Sequence, residues 1–518
     1  MMSTDKFLMG IDVGTGGGRC FIFDSDGKEI ASTYKEWTYI FPTNVPYAVE
    51  FDPDDMWKTI RFCVNETLAK SKISPSQIAG VSSTSQRQGL VLLDKDGNEL
   101  YAAPNMDSRG FAKAEELERL HGEENYQITG RWPLPFFGPC RLLWIRKHQP
   151  EKFKAIQKLL MLSDWVIYKL GNITISEPSI ASSSMLFDVK KKEWSKEVAS
   201  WVGISENILP EIHDSGECVG SVTKDAASET GLKEGTPVVA GGADTQCGLL
   251  GTASIEEGQT TIVAGTSTPV QMALDRPIFS EEMKTWTSSH AMRDRWVLES
   301  NAIWTGLVFR WFRDALGSLE KILASILNVD AYELIDKEIE SVPEGSNGVT
   351  AVFSNIMDAK RTLKTRPRGA IFGIAHTRSD LTGKKEIARA IIENTCYAVL
   401  GNCLQLEAVS KTKLKEVRMC GGASKSKIWT QIQADILGLP VYVPKVKEAT
   451  ALGVAICAGV GSGLYKSVPE ATSSLVRWET IKEPNPSSHE RYLPLFEKWR
   501  KLHDTLFDLT DGDILPKY

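Results

Sequence analysis

Cysteine is scarce and scattered, nine residues in 518, with no Cys-x-x-Cys and no cysteine grouped with histidine. That pattern excludes a zinc ribbon or a disulfide framework and suits reduced thiols in a cytoplasmic protein. No apolar run approaches the ~18–20 residues a membrane helix needs; the stretch near 454–464 is short and Gly-rich. The opening Met1-Met2-Ser3-Thr4-Asp5-Lys6 is too short and too weakly basic for a signal peptide. An excess of positive charge is lacking too, with 60 Lys and Arg against 66 Asp and Glu, a net charge of -6. Short basic clusters such as Lys364-Thr365-Arg366-Pro367-Arg368 read as solvated loop charge, so neither nucleic acid nor membrane is an expected partner. Three nucleotide-binding signatures are also missing. There is no Gly-x-x-x-x-Gly-Lys-Ser/Thr, which excludes a P-loop enzyme, and no His-Arg-Asp with Asp-Phe-Gly, which excludes a protein kinase. Gly14-Thr15-Gly16-Gly17-Gly18-Arg19 lacks the last Gly of a dinucleotide fingerprint and opens a strand rather than a helix.

What is present is an ordinary globular composition, 42% hydrophobic and 24% charged, in a chain too long for one core. The run 7–14 predicts a buried strand ending in a Gly/Thr turn, 19–24 a second strand, and Asp26-Gly27 a tight turn into a third. Asp52 then caps a helix with Pro53 at its first position and a stripe of Met56, Ile60, Val64 and Leu68. The segment 78–83 predicts a strand parallel to the first. The second half repeats this outline. Residues 259–268 form a strand breaking into Gly265-Thr266-Ser267, followed by a strand at 269–274. A helix over 384–409 leads to a strand at 417–420, which stops at Gly421-Gly422-Ala423. A helix through Trp429, Ile432 and Ile436 follows, closed by Gly438 and Pro440. The expectation is an α/β protein of two similar lobes, 1–250 and 251–518, with mixed sheets around a cleft.

Three small-residue turns end strands: Gly14-Thr15-Gly16, Gly265-Thr266-Ser267 and Gly421-Gly422-Ala423. Backbone N–H groups in such turns approach phosphate oxygens because no side chain intervenes, although each alone is also an ordinary hairpin or βα turn. Asp12 stands one residue before a strand end in an otherwise apolar run. It reads either as a carboxylate capping the turn or as a Mg²⁺ anchor. Asp244, in Gly241-Gly242-Ala243-Asp244-Thr245-Gln246, lies at the carboxyl edge of a sheet, where α/β ligands bind. Phosphoryl transfer needs a carboxylate there to accept the attacking hydroxyl's proton; an Asx turn is the alternative. Ser85-Gln86-Arg87-Gln88-Gly89 and Asn105-Met106-Asp107-Ser108-Arg109 are polar clusters suited to a polyhydroxylated ligand, with Asp107-Ser108 equally readable as a helix cap.

In combination these segments resemble the FGGY carbohydrate kinases nearly end to end. The resemblance rests on 10–15, on 241–244, on 265–267, on Gly369-Ala370-Ile371-Phe372-Gly373-Ile374, on 421–423 and on Glu448-Ala449-Thr450-Ala451-Leu452-Gly453. It implies two ribonuclease-H-like lobes of the actin/hexokinase type and an ATP-dependent phosphorylation of a hydroxyl on a sugar-like substrate. The substrate is expected on the first lobe and ATP with Mg²⁺ against the second. Asp244 is implied as the catalytic base, and Asp12 and Asp244 as the carboxylates at the metal. Thr15, Arg19, Gly265, Thr266, Gly306, Gly421, Gly422, Ala423 and Ser426 are implied to line the nucleotide. Gln86, Arg87, Asp107, Asp244 and Gln246 are implied to face the substrate. Within the family the chain is most similar to the autoinducer-2 kinase group, whose substrate is linear 4,5-dihydroxypentane-2,3-dione. Arg141-Leu142-Leu143-Trp144, Ser163-Asp164-Trp165 and Arg310-Trp311-Phe312-Arg313-Asp314 carry that similarity. A pentulose kinase (xylulokinase- or ribulokinase-like) or glycerol kinase is the alternative, because Gln88 stands where the family pattern has Glu. A homodimer is a family-level expectation.

Overall fold

The apolar run at the start of the chain becomes the middle of a six-stranded sheet. The computed structural model describes residues 6–361 and 367–516, so Lys364, Thr365 and Arg366 of the basic cluster lie outside the described residues. In spatial order the first sheet is Cys218–Ser221, Pro237–Ala243, Ile78–Ser85, Phe7–Val13, Gly17–Phe23 and Glu29–Glu36. The strands Pro237–Ala243, Ile78–Ser85 and Phe7–Val13 run parallel, so their carboxyl ends share one edge. The other strands are antiparallel to their neighbours.

Local chemistry explains the first covering helix, Pro53–Ser71. The Asp52 carboxylate accepts from the backbone N–H groups of Asp54 (2.9 Å) and Asp55 (3.1 Å), and left-handed Lys72 ends the helix. Met56, Ile60, Val64 and Leu68 are buried against Met9, Ile11 and Val81 of the sheet. Each such side chain contributes about 1.5–3 kcal/mol on burial.

The second sheet repeats the plan. Its order is Trp286–Ser289, Trp296–Asn301, Pro269–Leu274, Thr260–Val263, Val417–Cys420, Val441–Pro444 and Trp478–Lys482. Thr260–Val263, Val417–Cys420 and Val441–Pro444 are parallel, with an antiparallel meander on one side and an antiparallel edge strand on the other. This is the first sheet's topology again, with one extra edge strand. The mixed two-lobe α/β architecture read from the sequence is therefore present.

Two differences bear on the site. The Pro237–Ala243 strand runs past Ala240, so Asp244 is the first residue of the helix Asp244–Gly251 and not part of a loop. The helix Ala449–Gly461, apolar on every side, packs on the first sheet, where Leu452 and Ile456 meet Leu8 and Phe21. Residues from the second half thus complete the first lobe. Among the described residues no helix is long and apolar enough to cross a membrane.

Candidate active site

Parallel pairing places Asp12 and Asp244 together. Asp12 lies opposite Thr84 in the ladder, and Gly242 lies opposite the same Thr84 from the other side. The two carboxylates therefore leave one sheet edge from strands two apart, roughly 9–10 Å between backbones. Burial pushes the Asp12 carboxyl up to about 7; Arg19 opposes this, while the charges of Asp244 and Glu448 add to it. Burial likewise raises Asp244 to about 6, against the pull of Arg87 and of the Thr245 N–H, which donates at 2.7 Å. Two carboxylates held toward neutrality at one point form an anionic site that a divalent cation would relieve. Among the described residues no cage of three or more His, Cys, Asp or Glu exists. That is compatible with Mg²⁺, which is commonly held by one or two carboxylates with substrate phosphates and water.

Two of the three small-residue turns gather at the corresponding edge of the second sheet. Val263 pairs with Cys420 in the parallel ladder, so Gly265-Thr266 and Gly421-Gly422 emerge side by side. Gly421 has φ +88°, and a side chain there would press on the Ala264 carbonyl, so only Gly fits. Gly306 opens the helix Gly306–Leu316 against the Gly265 carbonyl, which a Cβ would meet at 2.3 Å. Gly422 has open space around it, and Ala423 donates its N–H to Ala264 O at 3.2 Å. The Ser426 hydroxyl caps the helix Lys427–Leu437 by accepting from Trp429 N at 3.1 Å. Thr15 lies exposed in the first turn, its hydroxyl accepting from Asn105 Nδ2 at 3.2 Å.

One segment ties the two edges together. Gly421 N donates to Lys447 O at 3.2 Å, and the next residue, Glu448, holds Arg19 Nη1 at 2.7 Å. Arg19 is the ladder partner of Asp12. The turns of both lobes thus meet around the segment 447–450, where Thr450 Oγ1 also donates to Asp244 O at 3.1 Å.

The substrate-side residues divide into two groups. Arg87 Nε lies 3.9 Å from Asp244 Oδ1, and about a third of the Asp244 side chain remains open. Gln246 is buried, its Oε1 accepting from Thr245 Oγ1 at 2.9 Å and its Nε2 unpartnered. Gln86 and Asp107, by contrast, are committed within the protein. Gln86 Nε2 donates to Gly14 O (3.3 Å) and Tyr39 Oη (3.2 Å), and its Oε1 accepts from Asn105 N (3.1 Å). The Asp107 carboxylate accepts from Arg109 Nε at 2.9 Å, Val49 N at 3.1 Å and the Tyr101 hydroxyl. Asp107 does not cap the helix Phe111–Thr129, whose N-cap is Gly110. Gln88 adopts φ +65°, a strained conformation for a non-Gly residue, and its carbonyl accepts from Arg141.

Sequence reading missed Glu299, which is fully buried on Trp296–Asn301 and grips Arg87 through two bonds of 2.5 and 2.9 Å. Burial alone would raise this carboxyl, but the Arg87 guanidinium, with Arg131 and Gln271, holds it below the ordinary range. Arg131 sits behind it, 4.5 Å over the Trp286 ring, and burial pulls its guanidinium down to about 9. No local signal marks Glu299, since it lies 212 positions from its partner.

Comparison with known proteins identifies the family. Residues 7–251 match the N-terminal domain model of the FGGY family of carbohydrate kinases, and residues 260–462 match its C-terminal domain model. A protein named autoinducer-2 kinase from Salmonella paratyphi A is 35% identical over 512 residues, covering 98% of this chain and 96% of that one. The crystal structure of xylulose kinase from Rhodospirillum rubrum shares the fold, with a TM-score of 0.84 at 22% identity, covering 98% of this chain and 100% of that one. The crystal structure of Plasmodium falciparum glycerol kinase with ADP does so with a TM-score of 0.82 at 20% identity, covering 96% of this chain and 98% of that one. With two family domains matched in order along a repeated mixed-sheet architecture, the chain belongs to the FGGY family of carbohydrate kinases.

Proposed function

We propose that this kinase transfers the γ-phosphoryl group of ATP to a hydroxyl of autoinducer-2 in its linear dihydroxypentanedione form. The carrying observation is the placement of Asp12 and Asp244 on one sheet edge, linked through the segment 447–450 to the turn at 421–422, beside which the turn at 265–266 emerges. The 35% identity to an autoinducer-2 kinase over 98% of the chain supports this choice of substrate over xylulose or glycerol.

In this reading residues 1–250 hold the substrate and 251–518 the nucleotide. Asp244 accepts the proton of the attacking hydroxyl, since its carboxyl is partly open and its pKa is tuned toward neutrality. Arg87 steadies the charge beside it, held in place by Glu299. Gln246 adds a donor, while Gln86 and Asp107 shape the pocket from behind. The backbone N–H groups of Thr266 and Gly422, the N-terminus of the helix at Gly306 and the Thr15 hydroxyl receive the phosphates, while Gly265, Gly421 and Ala423, whose N–H groups bond within the protein, shape the turns that present them. Ser426 fixes the start of the Lys427–Leu437 helix beside them. Arg19 acts by holding Glu448 and neutralising Asp12. Asp12 and Asp244 fit Mg²⁺, which when bound supplies neutralising charge to the phosphates. The buried thiols, Cys218 being the one exposed cysteine, support a cytoplasmic location.

Asp244→Asn is expected to leave ATP binding intact and cut turnover by roughly 10²–10⁴. Near-normal turnover would remove Asp244 from the mechanism. ADP release from dihydroxypentanedione, xylulose, ribulose and glycerol, measured side by side, tests the substrate. Preferential turnover of a pentulose or glycerol would move the assignment to that compound.

A further inference from the structure

One peptide unit at the end of the Pro237–Ala243 strand is held from both sides by side-chain hydroxyls. Thr84 Oγ1 donates to the Gly242 carbonyl at 2.8 Å, and the Ala243 N–H donates to Ser179 Oγ at 3.0 Å. The regular ladder does not fix this stretch, because its pairing with Ile78–Ser85 shifts register between Val239 and Gly242. Glycine at 242 lets the hydroxyl approach, since a Cβ there would meet Ser179 Oγ at 3.0 Å. Asp244 follows the clamped peptide directly. Its carboxylate takes the Thr245 N–H at 2.7 Å and lies 3.9 Å from Arg87 Nε, so its direction depends on the backbone that precedes it.

Behind Ser179 stands a buried acid. The Ser179 hydroxyl donates to Glu177 Oε2 at 2.5 Å. The same oxygen accepts from Ser179 N at 2.9 Å and Ile180 N at 3.1 Å, and Oε1 accepts from Ser215 Oγ at 2.7 Å. Glu177 is only 2% exposed. Its two backbone bonds cap the short helix Pro178–Ser182, a task that Ser, Thr, Asp or Asn performs without burying a longer acid. The bonds from the Ser179 and Ser215 hydroxyls are no part of that cap. With its one proton committed to Glu177, the Ser179 hydroxyl can only accept from Ala243, so the carboxylate also sets the polarity of the clamp.

We propose that Glu177 is a positioning residue for phosphoryl transfer: through the Ser179 hydroxyl it fixes the Gly242–Ala243 peptide, and with it the line along which Asp244 leaves the strand. Glu177 acts in this way only if Asp244 accepts the proton, as proposed above. Three hydroxyls hold the backbone at 242–244, those of Thr84, Ser179 and Thr450. Among the described residues only that of Ser179 is itself anchored on a carboxylate. Misplacing a reacting group by about 1 Å can cost ~100-fold in rate, so a bond one residue from the base is close enough to govern turnover.

The test is steady-state kinetics of the full chain with the best of the four substrates named above. Ser179→Ala removes the link and should lower kcat roughly tenfold with KM for ATP unchanged, the mark of an interaction realised in the transition state. Glu177→Gln keeps a neutral acceptor of the same shape and should lower kcat roughly threefold. The double variant should match Ser179→Ala alone, because Glu177 then has no route to the Ala243 N–H. A residue that merely supports the fold would lower the melting temperature and leave kcat intact. Unchanged kcat in either single variant overturns the proposal, and so do losses that multiply in the double variant. Should the double variant not fold, Ser179→Ala combined with Asp244→Asn replaces it, and the missing hydroxyl should then cost nothing further. Asp244→Asn alone separates the two ideas. If it retains turnover, the base assignment fails; if it loses turnover while Ser179→Ala does not, only the positioning role fails.

Discussion

The two lobes repeat one topology, yet their equivalent edges carry opposite chemistry. Each first parallel strand ends in a Gly-Thr turn, Gly14-Thr15 in one and Gly265-Thr266 in the other. Two residues before the turn stands Asp12 in the first lobe and Val263 in the second. The first edge is crowded with buried charge, namely Asp12, Asp244 and Arg87, with Glu299 reaching across from the other lobe. At the second edge the turn residues offer backbone amides and small hydroxyls. The difference teaches that one repeated scaffold can carry different chemistry at its two edges, set by the residues at the strand ends. In the proposed mechanism one edge handles a proton and a metal and the other receives a polyanion.

Asp12→Asn should break the comparison most strongly, lowering turnover roughly 100-fold or more and raising the Mg²⁺ concentration required. It should also stabilise the metal-free protein. Asp12 is raised from 3.8 to about 7 in the fold, so between those values the folded state holds a proton that the unfolded chain has released. Stability from this group is therefore lost as pH rises through that window. Melting curves in EDTA at pH 5 and pH 8 should show the variant's advantage growing toward pH 8. An advantage independent of pH would mean that Asp12 is not strained there.

Glu299→Gln sharpens the account of the charged edge. It leaves Arg87 and Arg131 without their shared buried carboxylate, a loss of about 3–5 kcal/mol of stability by analogy with broken buried pairs. Turnover should fall about tenfold as Arg87 loses its anchor beside Asp244. Denaturant titration and steady-state kinetics measure the two effects.

Val263→Asp would place on the second edge the charge that its twin carries. Repulsion of the triphosphate should raise KM for ATP roughly tenfold with little change in kcat. The smallest effect is expected from Gly306→Ala, whose new Cβ must push the Gly265 carbonyl from a 2.3 Å contact. A three- to tenfold rise in KM for ATP, roughly, is expected from the displaced turn. Unchanged ATP kinetics in both variants would show that the second edge does not receive the nucleotide.

Much of this architecture was legible because its signals are local. The cap at Asp52, the four-residue stripe through Leu68, and the strand stops at Gly14, Gly265 and Gly421 each depend on a few neighbouring residues. Asp12 and Asp244 were legible for the same reason, as acidic residues at Gly-rich strand ends. Gln86 and Asp107 were only half legible. Their position in polar clusters after strands followed from the pattern, but partners that tie them into the protein, such as Tyr39 and Gly14 for Gln86 and Val49 for Asp107, are brought in by the fold.

What the sequence alone determined is the set of elements and the residues able to do chemistry, since periodicity, capping and turn geometry act over a few positions. Tertiary structure decided which of those residues meet. Glu299 finds Arg87 across 212 positions and Glu448 finds Arg19 across 429, pairings that no short-range pattern encodes. It also decided which way the helix Ser318–Leu327 faces, because the orientation of an amphipathic helix follows from what lies beneath it, here Lys384 drawing Glu320 inward.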